Sequence, residues 1–343
     1  MGLFDLFSGG EKAPKQTAFL SEYGGFHQIA GGSQATMYTA QHAKTGEKRV
    51  IKKIIPKDKN ARQRLMRELE ICLGIKEDHF IRYYGYEQKG EEFYILMEFF
   101  EGMSLRVFLR DTIVTKNRRP PFLTGRNFIT LFLHAAKSLH AIHQKSYLHL
   151  DVKPENFMAK GLELRPTEDT NARLSVDTEI FQQRTLESAA AIQLKLIDFG
   201  VSVKEGDEAP LGGSLFYVAP EVVSGSKVGS GGVGQPADIY SLGCTFFELA
   251  TGSPPVLPSW FEGKPKNWNF YWPEYEKMPR ETRAAYEKDM LRDRLSHPAD
   301  PAKIPGSQAV RDMIMKCLHP SPVKRYPTSF ALARDLDSLL TRF

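Results

Sequence analysis

Residues 147–157 read YLHLDVKPENF and carry Asp151, Lys153 and Asn156 within six positions, directly after an apolar-periodic run from Phe128 to His143. That run has the three- and four-residue spacing of a packed helix, so the three polar groups fall on the loop that follows it. Their types suit phosphate chemistry. A carboxylate can orient an acceptor hydroxyl and take its proton, an ammonium can neutralise charge on a group in flight, and an amide oxygen can ligate a hard cation.

Three other places answer to the same chemistry. In IAGGSQATMY, Gly31 and Gly32 lie between two strand-like runs, where a backbone without side chains comes close to phosphate oxygens; an ordinary hairpin turn explains the same residues. In RVIKKII, strand alternation puts Lys52 on the face of Val50 and Ile54, with Arg49, Ile51 and Lys53 on the other. A lysine among apolar neighbours needs an anion. Glu68 can supply one, because Leu65, Ile71 and Cys72 at helical spacing draw it toward the packed side; the alternative is that both are solvated surface charges. LKLIDFG then ends a hydrophobic strand on Asp198, with a glycine after it that permits a sharp turn, as a Mg²⁺-binding carboxylate requires.

Taken in order, these motifs resemble the eukaryotic-type protein kinase family, Ser/Thr class, across roughly residues 20–343. HLDVKPEN is similar to the catalytic loop H-R-D-x-K-x-x-N, DFG at 198–200 matches the metal motif, and GSLFYVAPE resembles the close of the activation loop. ADIYSLG resembles the helix that follows, with Asp238 as its structural aspartate, and CLHPSPVKRYPT the late motif whose Arg325 would pair with Glu221. The resemblance implies an α+β, bilobal fold with ATP and Mg²⁺ in the cleft, and phosphoryl transfer to a Ser/Thr hydroxyl of a protein substrate. Residues 1–18 are then a tail, 19–100 a small β-rich lobe and 101–343 a larger helical lobe, with a polar insert at 161–191.

The resemblance also distributes roles. Lys52 would hold the α- and β-phosphates and Glu68 would anchor Lys52. Ala30, Gly31, Gly32 and Ser33 would form the phosphate turn, although Ala30 and Ala35 stand where two further glycines are expected. The backbone from Glu98 to Phe100 would bind adenine, with Met97 sizing the back pocket. Asp151 would be the catalytic base, with Lys153 beside it, and Asn156 and Asp198 the metal ligands. In some members the glutamate at the position of Glu155 reads an arginine of the substrate; the alternative is a solvent-exposed loop carboxylate. Leu150 stands where an arginine would receive an activation-loop phosphate, so activity is expected not to depend on phosphorylation through that residue. The main rival reading is a pseudokinase scaffold that binds nucleotide without efficient transfer; a second is transfer of AMP on the same fold.

Bulk properties exclude other classes. The 343 residues are 41% hydrophobic and 25% charged, ordinary for a globular protein. A net charge of +5, with no long basic tract, gives no reason to expect nucleic-acid binding. Cys72, Cys244 and Cys317 lie far apart in helical patterns, which suggests neither a metal site nor disulfides and fits a reducing, cytoplasmic compartment. No apolar run is long enough to span a membrane. The start, MGLFDLFSGG, lacks the features of a secretion or acylation signal; its apolar residues would pack on their own domain or a partner, or touch a membrane surface weakly.

Overall fold

A computed structural model describes residues 16–31, 35–109, 125–161, 192–199, 202–204, 214, 216–223, 233–256, 277–296 and 299–342. Gly32, Ser33, most of the tail at 1–18 and most of the polar insert at 161–191 lie outside them. The chain separates into two compact units, Met1–Glu101 with Ile197–Ser202, and Gly102–Leu196 with Val203–Phe343.

The first unit is built on an antiparallel sheet of β1 (Tyr23–Gly31), β2 (Ala35–His42), β3 (Lys48–Ile54), β4 (Tyr83–Lys89) and β5 (Glu92–Glu98), in the order β1-β2-β3-β5-β4. Helix α1 (Lys59–Gly74) starts on Asp58, whose side chain accepts the Ala61 N–H at 2.7 Å. It buries Leu65, Glu68, Leu69, Ile71 and Cys72 along one stripe. The alternation of β3 decides what each side chain meets. Ile51 packs with Phe19, Ala40 and Leu96 in a cluster joined by Leu20, Tyr23 and Tyr94, so the segment before β1 covers the face that carries Ile51. That segment is fastened to β4. Glu87 Oε2 accepts the N–H groups of Phe19 and Leu20 at 2.7 and 2.8 Å, and Thr17 donates its N–H to the Tyr86 carbonyl at 2.8 Å.

The second unit is helical. Its helices are α2 (Arg126–His143), α3 (Pro220–Val223), α4 (Gln235–Thr251), α5 (Arg280–Ser296), α6 (Gln308–Cys317) and α7 (Ser329–Leu340). Short strands accompany them: β6 (Met103–Ser104), β8 (Phe157–Lys160) and β9 (Gln193–Leu196) form one sheet, and β7 (Tyr147–Leu148) pairs with β10 (Val203–Lys204). Every residue of α4 from Ala237 to Ala250 is buried, which makes it the central helix of this unit. Phe246 from α4 stacks on Phe132 of α2 with ring centroids 4.2 Å apart and meets Phe128 edge-on. A helix buried all round has no solvated face, so the two carboxylates it carries, Asp238 and Glu248, must find partners inside. Arg325 spends all five guanidinium donors on Glu221, which it grips with two, and on the carbonyls of Pro236, His319 and Pro320.

Candidate active site

In the first unit, Lys52 leaves β3 on the side opposite Ile51 and meets Glu68 of α1, with Nζ 2.9 Å from Oε1. Both are largely enclosed. Burial pulls the Lys52 pKa down, but the charges of Glu68 and Asp198 outweigh it and hold the ammonium well above its ordinary value. For Glu68, burial pushes the pKa up and the Lys52 charge opposes it, leaving the carboxyl raised. The ammonium is therefore charged at any physiological pH, and its attraction to Asp198 places a carboxylate within its field. Asp198 has a left-handed backbone, φ 66°, and an exposed side chain, while Phe199 beside it is buried and stacks on Phe80 at 5.7 Å. A non-glycine residue held at positive φ is strained, and here the strain presents an acidic group.

The remaining predicted residues of this unit are on the sheet. Ala30 and Gly31 end β1, exposed and paired with Met37 and Thr36 of β2. A Cβ on Gly31 would lie 2.7 Å from the Gln28 amide nitrogen, the movable end of a side chain, so space alone does not demand glycine there. Met97, next to last in β5, is buried opposite Val50 of β3. Glu98 accepts the Arg82 N–H on its side chain at 3.1 Å and is tied to the Arg82 carbonyl through its own N–H. Phe100 follows it, half-buried.

In the second unit, the loop between β7 and β8 carries Asp151, Lys153 and Asn156. Asp151 Oδ1 accepts the Ser214 N–H at 2.9 Å and Oδ2 lies 2.6 Å from Lys153 Nζ. Lys153 also donates to Ser214 Oγ at 2.9 Å, so the three residues close a ring in which each touches the other two. Asn156 gives its amide NH₂ to the Asp151 carbonyl at 2.8 Å. The amide's Oδ1 is the kind of oxygen a hard cation takes, and the carboxylate of Asp198, an exposed residue of the first unit, is another; both donor types suit Mg²⁺.

The loop is held from beneath. Asp238 of α4 accepts the His149 N–H at 2.8 Å and the Leu150 N–H at 2.7 Å, and His143 Nε2 lies 2.9 Å from its Oδ2. Leu150 has φ 60° and a side chain only 3% exposed. Burial works against the Asp238 charge, but the His143 imidazole and the His149 N–H prevail and hold its pKa below the ordinary value.

Residues 23–336 match the protein kinase domain family model. The chain belongs to the protein kinase family. Among protein kinases it is similar to the Saccharomyces cerevisiae serine/threonine-protein kinase SSK22, 30% identical over 66% of this chain and 16% of that protein. It is similar also to the MAP kinase kinase kinase win1 of Schizosaccharomyces pombe, at 32% over 66% of this chain and 16% of win1, and to human mitogen-activated protein kinase kinase kinase 4, at 28% over 67% and 12%. The chain thus spans well under half of these relatives.

Two parts of the kinase unit went unread in the sequence. Ser214 lies inside GSLFYVAPE, yet it bonds both Asp151 and Lys153; a lone hydroxyl in such a stretch is a weak signal by itself. Arg106 is the other. Its Nε lies 2.7 Å from Glu155 Oε1, its Nη1 2.6 Å from Glu248 Oε1, and its Nη2 donates to the Tyr217 hydroxyl. Nothing in SLRVFL distinguishes this arginine from a surface one.

Proposed function

We propose that the chain is an ATP- and Mg²⁺-dependent protein serine/threonine kinase that transfers a phosphoryl group to a protein hydroxyl. The observation that carries this reading is the ring of Asp151, Lys153 and Ser214. It fixes one carboxylate and keeps an ammonium beside it. In that reading Asp151 orients the acceptor hydroxyl and takes its proton, and Lys153 offsets charge on the phosphoryl group. Lys52, anchored by Glu68, would hold phosphates of the nucleotide; Asp198 and Asn156 would each offer an oxygen to Mg²⁺, which would supply charge neutralisation on the phosphates. Ala30 and Gly31, with Gly32 and Ser33, would form the phosphate turn, the backbone from Glu98 to Phe100 would bind adenine, and Met97 would size the back pocket.

Activity is proposed to be independent of activation-loop phosphorylation through position 150. The support is chemical: Leu150 offers no cation, its side chain is buried, and its backbone is already held by Asp238. The three cysteines are buried free thiols, which suits the proposed cytoplasmic, reducing location.

The test is incubation with γ-labelled ATP, Mg²⁺ and a general protein substrate, beside Asp151→Asn and Asp198→Asn. Label on serine or threonine, lost in both variants, is expected. Label arriving only from α-labelled ATP replaces the reading with AMP transfer, and no label from either leaves a scaffold. Phosphatase treatment beforehand is expected to change the rate less than about twofold, within the noise of an assay for an interaction worth ~0.4 kcal/mol.

A further inference from the structure

The cluster around Arg106 lies outside the ring described above and is not needed for any step proposed there. It rests on two carboxylates and a phenol. Glu248 is fully buried in α4, and the Tyr217 hydroxyl donates to its Oε2 at 2.6 Å. Glu155 sits between Pro154 and Asn156, on the loop that carries Asp151 and Lys153, and its side chain is 42% exposed. A buried carboxylate needs a cation, and Arg106 brings one from the helical turn at 105–109, whose Leu105, Phe108 and Leu109 are packed inward. The guanidinium uses its fork fully: Nη1 and Nη2 reach the two oxygens of Glu248 at 2.6 and 3.3 Å, Nη2 also meets Tyr217, and Nε meets Glu155. Burial opposes the Arg106 charge, but Glu248, Tyr217 and Glu155 raise its pKa further still, so the plug is permanently cationic.

Without Arg106 the same residues form an acidic pocket of guanidinium shape, opening to solvent through Glu155, two residues from Lys153. We propose that Arg106 is a specificity-determining residue: it fills this pocket with the chain's own guanidinium, so that acceptor segments are taken without an arginine being read there. The inference rests on the kinase reading for its substrate and deepens it. It stands against the expectation that Glu155 reads a substrate arginine, since Glu155 Oε1 already meets Arg106; Oε2 has no hydrogen-bond partner among the described residues. An arginine of the acceptor segment then gains nothing at this pocket.

The experiment compares the unaltered 343-residue chain with Arg106→Ala on paired peptides that carry either arginine or alanine at each of the four positions before the serine. The intact protein is expected to show a ratio of kcat/KM near one between pair members. In Arg106→Ala the arginine peptides should gain about tenfold, through KM, the size expected of a charge-assisted pair. A second readout needs no activity: methylguanidinium at millimolar concentration should raise the melting temperature of Arg106→Ala saturably and leave that of the intact protein unchanged. Should Arg106→Ala not fold, Glu155→Gln in the intact background replaces it, and the arginine-to-alanine ratio is expected to stay within about twofold of the intact ratio. A strong arginine preference in the intact protein that Glu155→Gln abolishes overturns the proposal. So does a folded Arg106→Ala with neither arginine gain nor methylguanidinium stabilisation. If no peptide is phosphorylated by any form, the kinase reading fails, and the methylguanidinium titration alone still decides whether Arg106 fills a guanidinium pocket.

Discussion

Asp238 accepts the Leu150 N–H at 2.7 Å while Leu150 is held at φ 60°. The carboxylate of a wholly buried helix thus clamps a strained residue immediately before Asp151. Its other oxygen takes the His149 N–H and faces His143, whose Nδ1 lies 2.8 Å from Ser329 Oγ on α7.

Replacing Asp238 by Asn leaves one acceptor where two are used and sets an amide NH₂ against a backbone N–H. A loss of about 2–4 kcal/mol is expected from urea melts at pH 7. The folded pKa of Asp238 lies below its unfolded value, so its contribution is complete above about pH 4–5 and is lost as the pH falls through the folded pKa. The gap between intact protein and Asp238→Asn should therefore narrow below about pH 4. A gap that stays constant down to pH 3 would count against an ionised Asp238.

Lys52→Met strands Glu68 in a buried position without its cation. Peptide phosphorylation is expected to fall at least about a hundredfold, and the melting temperature to drop as well. Adding Glu68→Gln removes the stranded charge, so the double variant should recover stability and no activity. Recovery of both would show that the pair has only a structural part.

Ser214 touches Asp151 through its backbone and Lys153 through its hydroxyl. Ser214→Ala keeps the first bond and loses the second. A reduction in kcat of about tenfold is expected, with the melting curve little changed, and Ser214→Thr should retain most of the activity because the hydroxyl survives. Equal losses in Ala and Thr variants would mean that the hydroxyl is not what Lys153 needs.

Gly243→Ala sets two effects against each other. Helix propensity favours alanine within α4 by up to about 1 kcal/mol. Against this, a Cβ there would lie 2.7 Å from Cys317 Cβ and 3.3 Å from two Leu318 side-chain atoms. Crowding of this kind costs about 1–3 kcal/mol and should prevail. Chemical denaturation decides the sign. Because the clash is with Cβ, Cys317→Ala should bring no relief.

The order of motifs was legible along the chain because each is local. A carboxylate, a lysine and an asparagine within one loop, DFG at a strand exit, and a lysine on the apolar face of a strand all declare themselves within a dozen residues. The spacing of Leu65, Ile71 and Cys72 was also enough to turn Glu68 inward, and the partner on β3 followed from the cost of burying either charge alone. The division into a β-rich and a helical part came from a change of hydrophobic period near Ser104.

What only the tertiary structure decided are the partnerships between distant segments. Ser214 reaches Asp151 across 63 positions, Arg106 reaches Glu248 across 142, and Glu87 fastens Phe19 across 68. No periodicity marks such pairs, since each residue alone is an unremarkable polar group, and its burial depends on elements packed around it. Sequence alone determined which chemistry the loop can perform. The fold decided which carboxylates are paired, because Arg106, far away in sequence but in the same unit, reaches both Glu155 and Glu248.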